Sequence, residues 1–206
     1  MKRYFRYILM GMMAVIVAFS ASAQTADGML KKAAAAINGA GGLTASFTLD
    51  YGQQKMTGTL KASGRKFALQ TSSTSTWYDG KSMWTYNPNT KETTLMTPTP
   101  QEVGEANPLA IVNSYSSAFT ASFAKSQTKG SKTVVLTPKS KQSGYKSVHV
   151  TIPDGTSFPS KLVVIPGSGQ KVTVSVSQVK TGQKLPESSF VYPKSKYPKV
   201  EIVDLR

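Results

Sequence analysis

Residues 76–89 read TWYDGKSMWTYNPN, and they place both tryptophans of the chain, Trp77 and Trp84, in one apolar hairpin. Asp79-Gly80 is a strong turn signal, because glycine supplies the positive φ of tight hairpin turns without steric strain. Side chains alternate between faces along a strand. Any loop with an even number of residues therefore puts Trp77, Trp84 and Tyr86 on one face of the sheet. An Asp-Gly loop and an Asp-Gly-Lys-Ser loop both give that parity, whereas an odd-numbered loop breaks it. Tyr78, Met83 and Thr85 then take the other face. The aromatic face fits two readings equally well, the packing of an ordinary core or the inner wall of a cavity.

The period of two extends in both directions from this hairpin. In LTASFTLDY, residues 43–51, Leu43, Ala45, Phe47, Leu49 and Tyr51 alternate with polar residues, the pattern of a half-buried strand. Met56, Gly58, Leu60 and Ala62 repeat it, as do Phe67 and Leu69. Further strands are expected at TVVLTP, YKSVHVTI, KLVVIP, KVTVSVSQV, SSFVYP and VEIVDL, separated by turns rich in Gly, Pro and Lys. Val172, Val174 and Val176 form the apolar side of one of them. Ahead of the first strand, TADGMLKKAAAAINGAGG reads as an amphipathic helix with Asp27 as its N-cap and Asn38-Gly39 as its end. The segment TPTPQEVGEANPLAIVNSYSSAFTASF, residues 97–123, interrupts the strands, and Pro108 before LAIVNSY marks a helix start. The expected class is α+β and mostly antiparallel β, a long antiparallel sheet with a helical insertion.

The first residues belong to a different category. Lys2, Arg3 and Arg6 precede the short apolar run ILMGMMAVIVAF, and small residues follow at Ala21 and Ala23. This succession is that of a secretory signal peptide, residues 1–23, cleaved after Ala23. The run is short for a bilayer span, which takes about 20 apolar residues. A single domain, residues 24–206, is expected to remain in the periplasm. The whole chain carries a net charge of +15, and loss of the three basic leader residues leaves +12. In an exported protein that excess fits anionic membrane surfaces or acidic partners better than nucleic acid, and the scattered lysines fit plain solubility as well. The chain has no cysteine, which removes disulfides and thiolate metal ligands. No lipidation cysteine follows the leader.

No catalytic constellation is visible, so an enzyme is not expected. The single histidine, His149, lies in SVHVTI with Ser147 and Thr151 on its side of a strand, outside any hydrolase or zinc-protease motif. The acidic residues are scattered. Neither a metal nor another cofactor is expected.

The order of motifs resembles that of the periplasmic outer-membrane lipoprotein carriers, the LolA-type lipoprotein chaperones. The likeness runs through the first helix and LTASFTLDY, GTLKASGRKF, WYDGKSMWTYNPNTKETTL, NPLAIV, VVLTPK and FVYPKSKYPKVEIVD. It implies an incomplete, half-open β-barrel whose open side is covered by a lid of α-helices enclosing a hydrophobic cavity. The implied role is a chaperone that takes the acyl chains of lipoproteins released from the inner membrane and carries them to the outer membrane. Implied partners are acylated lipoproteins, an inner-membrane ABC-type exporter and, where one exists, an outer-membrane acceptor; a monomer is expected. The cavity would be lined by Phe47, Leu49, Leu60, Phe67, Leu69, Trp77, Trp84 and Tyr86, with Leu109, Ile111, Val112, Tyr115 and Phe119 on the lid. The family places an Arg before a Pro in the turn ahead of the Phe, where it helps to hold the lid closed. Here that turn is SGRKF, without the Pro and with Arg65 offset. Arg65 is either the lid-controlling arginine or a solvated turn residue. The alternative role on the same fold is a periplasmic lipid- or glycan-binding or sensor protein, with the aromatics as a stacking surface.

Overall fold

The computed structural model describes residues 24–107, 109–167 and 169–206. The expected signal peptide and Pro108 lie outside the described residues. Helix α1 (Ala26–Asn38) begins at Thr25, whose hydroxyl accepts from the Gly28 N–H at 3.0 Å. Asp27, expected as the cap, sits instead in the first turn, where its charge faces the positive end of the helix dipole.

Six strands then run as a meander: β1 (Leu43–Tyr51), β2 (Gln54–Ser63), β3 (Lys66–Thr71), β4 (Ser75–Tyr78), β5 (Met83–Asn87) and β6 (Glu92–Met96). Two helices, α2 (Pro100–Ala106) and α3 (Leu109–Ala118), carry the chain to the opposite edge of the sheet. From there β7 (Phe119–Phe123), β8 (Ser131–Pro138), β9 (Tyr145–Pro153), β10 (Lys161–Pro166) and β11 (Val172–Lys180) return until β11 pairs with β1. The last segment contains two 3-10 turns, Glu187–Phe190 and Lys194–Lys196, before β12 (Glu201–Asp204) adds to β6 in parallel. The result is a 12-stranded sheet in the order β12-β6-β5-β4-β3-β2-β1-β11-β10-β9-β8-β7. Its other ladders are antiparallel, and the outer strands β7 and β12 do not pair, so the sheet is not closed into a barrel.

Three local expectations change. SSFVYP is not a strand: the prolines at 186 and 193 withhold ladder donors, and Glu187–Phe190 coils into a 3-10 turn. Phe119 begins β7 and is not part of a helix, because FTASF pairs residue by residue with β8. Helix α2 was not anticipated. It is nucleated by a capping box in which the Glu102 N–H donates to the Thr99 hydroxyl at 3.3 Å, the Thr99 N–H donates to the Glu102 carboxylate at 2.7 Å, and Pro100 opens the first turn.

The register stacks apolar side chains into one continuous face. Phe47, Leu60, Phe67 and Tyr78 extend it through one half of the sheet, and Val174, Leu162, Val150 and Leu136 through the other. Helices α1 and α3 bury Leu30, Ala33, Ile111 and Val112 against this helix-covered face. On the back of β3–β6 a second, separate apolar cluster forms under residues 187–200.

Candidate functional site

The hairpin settles its own parity. Tyr78 pairs with Met83 and Trp77 lies directly opposite Trp84, so the loop is 79–82. The Asp79 carboxylate accepts from the Lys81 N–H at 2.8 Å and the Ser82 N–H at 2.7 Å, while Gly80 takes φ +100°. Trp77, Trp84 and Tyr86 do share a face, but it is the back of the sheet and not the side under the helices. On β3, Phe67 points toward the helices opposite Tyr78, and Ala68 points backward opposite Trp77. Trp77 is 3% exposed, with Tyr192 edge-on at 5.6 Å and Tyr197 at 6.4 Å. Tyr86 packs on Tyr197 at 4.5 Å. Loop parity decides which residues go together; it does not decide which set faces the helices. The bulkier set is sealed by the C-terminal segment.

The helix-covered face is only partly filled. One pocket of about 350 Å³ lies between β1, β2, β3 and β11 and the end of α2, with Phe47, Leu49, Leu60, Leu69, Val174 and Val176 on its walls. A second of about 380 Å³ lies toward the Leu43 end of β1 and the Ala62 end of β2, and reaches β4. It is lined by Leu43, Leu60, Ala62 and Tyr78, with Ile37, Val103 and Leu109 contributed by the helical side. Leu60, Asn107 and Leu109 border both. Asn107 is buried, and its side-chain oxygen accepts from the Leu109 N–H at 3.2 Å, fixing the joint between α2 and α3 above the pockets. Gly58 makes room for Phe47, since a Cβ there would meet the Phe47 ring at 2.4 Å.

Of the residues singled out from sequence, Phe47, Leu49, Leu60 and Leu69 line the 350 Å³ pocket. Phe67 is buried against Tyr78, ring centroids 5.4 Å apart, and lines neither pocket. Leu109 reaches both pockets, whereas Ile111, Val112 and Tyr115 are buried between α3 and its surroundings. Arg65 sits exposed in the turn between β2 and β3, at the rim of the 380 Å³ pocket. It makes no hydrogen bond or ion pair among the described residues, so no arginine clamp joins sheet to helix. The link between helices is Tyr115, whose hydroxyl donates to the Asp27 carboxylate at 2.7 Å. Burial, reinforced by Asp27, pushes the Tyr115 phenol up to about 12. The hydrogen bonds from Lys31 and Tyr115 hold the Asp27 carboxyl below its ordinary range.

Sequence reasoning missed Asn107 and Glu105, which border the pockets on α2 and its C-cap. The signal was present in Thr99-Pro-Gln-Glu, a capping box with Pro at the first helical position. His149 and Ser147 form a 3.3 Å polar contact within β9. Among the described residues no group of acidic, His or Cys side chains could hold a metal ion, and no helix is long and apolar enough to cross a membrane.

Residues 16–168, more than half of the chain, match the family model for the outer membrane lipoprotein carrier protein LolA. The chain belongs to this family. Its fold is similar to that of an uncharacterized conserved protein from Thermus thermophilus, at TM-score 0.58 and 14% identity over 87% of this chain and 98% of that one. A LolA superfamily protein from Nitrosomonas europaea aligns over 82% of this chain and 98% of its own, at TM-score 0.47 and 12% identity. A putative outer membrane lipoprotein-sorting protein domain from Vibrio parahaemolyticus aligns over 83% and 97%, at TM-score 0.42 and 12% identity. A comparison with curated proteins gives no match.

Proposed function

We propose that this LolA-family chain is an exported, periplasmic carrier that takes up the acyl chains of lipoproteins from an inner-membrane ATP-driven exporter and delivers them to the outer membrane. The observation that carries the reading is the unfilled apolar space between the helices and the sheet. A well-packed domain leaves few voids larger than a water molecule, yet here pockets of about 350 and 380 Å³ adjoin across Leu60 and Leu109. Each falls within the range of about 300–1,000 Å³ usual for small-molecule sites. The helical cover supports the reading, because side chains such as Leu109 can exchange their apolar contacts for contacts with an alkyl chain at little net cost.

The energetics of the cargo explain why such a carrier is needed. Each buried methylene contributes about 0.8 kcal/mol, so one chain of about 15 methylenes holds its membrane with about 12 kcal/mol and three chains with about 36. Non-covalent affinities saturate near 18–21 kcal/mol, so a carrier cannot extract such a lipid anchor by affinity alone. Extraction falls to the exporter, and the carrier needs only a moderate apolar site that releases its load. No catalytic step is assigned. A glycan-stacking role would need exposed aromatic rings; Trp77 is buried with Tyr192 and Phe190, and Trp84 and Tyr86 are half-buried against the same cluster.

The test is recovery of the mature chain from periplasm followed by mass spectrometry of the bound material. Acylated lipoprotein or acyl lipid, displaced by a synthetic diacylated lipopeptide, is the expected result. A stable chain that carries no lipid and takes up no lipopeptide would overturn the proposal.

A further inference from the structure

The two pockets have mouths of opposite charge. The 350 Å³ pocket has Glu105 on its lining and no lysine or arginine. The 380 Å³ pocket has Arg65 and Lys66 on its lining, no carboxylate, and the polar side chains of Asn38, Asn113 and Ser114 nearby. Lys66 is engaged by Glu187, which leaves Arg65 as the guanidinium without a partner among the described residues. Below that rim the walls are apolar, with Leu43, Leu60, Ala62 and Tyr78 on the sheet side. An apolar pocket with an unpaired cation and amide donors at its entrance is complementary to one chemical class, an alkyl chain ending in an anion.

The geometry points to the 380 Å³ pocket as a binding site for long-chain anionic amphiphiles, with the chain beside Leu60 and Leu109 and the head group at Arg65. An acyl group held in an ester or amide linkage is neutral at its point of attachment, so this ligand class lies beyond the acylated cargo of the proposed carrier role. It rests on that role only in taking the pockets to hold alkyl chains. A planar guanidinium can meet a carboxylate or phosphate with two parallel N–H donors. Arg65 lies exposed in the turn that Gly64 opens at φ +57°, and its guanidinium makes no hydrogen bond or ion pair among the described residues. Asn113 stands on an exposed position of α3 across the entrance and can add a neutral amide donor to the same head group, while the Ser114 hydroxyl beside it donates to the Ala110 carbonyl.

Calorimetric titration of the delipidated mature chain at pH 8 with laurate, methyl laurate and dodecyltrimethylammonium tests the assignment. Laurate is expected to bind about tenfold more tightly than its ester, and the cation least well. Arg65→Gln should abolish the preference while leaving affinity for the ester within about twofold, and Arg65→Lys should restore much of it. Asn113→Asp, on an exposed helix position, should weaken laurate and not the ester. Equal affinities for laurate and methyl laurate would overturn the head-group site and leave the acyl-binding role standing. A preference that survives in Arg65→Gln would overturn it in the same way. If no single-chain probe binds while the lipopeptide does, the head-group site alone fails; if neither binds, both readings fail together.

Discussion

The two faces of the β3–β5 region are both rich in large apolar side chains, yet the back keeps a pocket of about 160 Å³ beside Trp77 and Ser188, whereas the helix-covered side keeps pockets of about 350 and 380 Å³. On the back, Trp77, Trp84 and Tyr86 meet a segment without regular ladders, in which Phe190 docks and Tyr192 and Tyr197 stack on one another. An irregular covering segment can adjust residue by residue and so leaves a smaller gap. On the other side the cover consists of helices, whose side-chain spacing does not match the two-residue repeat of a strand. Phe67 and Met83 are filled in, but beside Tyr78 and Leu43, and between Leu49, Leu60, Val174 and Leu109, space remains. Aromatic content therefore marks burial, and the kind of cover decides how large a pocket that burial leaves.

The largest test of this contrast is Trp77→Ala. It should cost about 3–5 kcal/mol in denaturant unfolding, as for a large buried aromatic. The folded fraction should bind laurate and lipopeptide as the wild type does. A loss of binding without a loss of stability would place Trp77 functionally with the pockets and break the comparison. Leu49→Gln should do the reverse. Leu49 is half-buried on the wall of the 350 Å³ pocket, so the polar group retains access to solvent. The expected result is alkyl binding weakened about tenfold, with a stability loss of less than about 1.5 kcal/mol.

A smaller effect is expected at the link between the helices. The Tyr115 phenol is raised from 10.0 to about 12, so its contribution to stability is complete below pH 10 and is lost as pH rises toward 12. Asp27 has a lowered carboxyl, so its contribution is complete above about pH 4 and fades as pH falls through its folded value. Tyr115→Phe should lower the melting temperature at neutral pH by a few degrees and flatten part of the alkaline limb between pH 10 and 12. An unchanged alkaline limb would show that α1 and α3 are held by packing alone. The smallest change should come from Glu187→Gln, which removes the exposed ion pair with Lys66 that ties the C-terminal segment to β3. Such pairs contribute about 0–1 kcal/mol, and the loss should shrink further in high salt. A larger loss in thermal unfolding would mean that the ion pair, and not the aromatic cluster, fastens the back cover.

Much of this fold could be read from local pattern. The alternation in LTASFTLDY, the hairpin parity of Trp77, Trp84 and Tyr86, the valines of β11 and the Asn38-Gly39 end of α1 all rest on short-range sterics, which the chain carries wherever it lies. The errors share a cause as well. SSFVYP and Phe119 sit where a covering segment or a neighbouring strand sets the conformation, and propensity yields to those contacts. Of the proposed pocket residues, Phe47, Leu49, Leu60 and Leu69 were legible because period two and a central strand position agree. Asn107 and Glu105 were hidden in an unrecognised helix.

The sequence by itself determined which side chains travel together. Turn parity, strand alternation and helix caps act over a few residues and do not depend on the rest of the molecule. Only the tertiary structure decided which face each set would take, because that choice depends on what arrives to cover it. Residues 187–200 reach the back of β3–β5 after passing from β11, far along the chain, while α2 and α3 cross the other face between β6 and β7. The tryptophans were thereby committed to the cluster under the C-terminal segment, and the two larger pockets were left to Phe47, Leu49, Leu60 and Leu109, where the spacing of a helix and the spacing of a strand do not coincide.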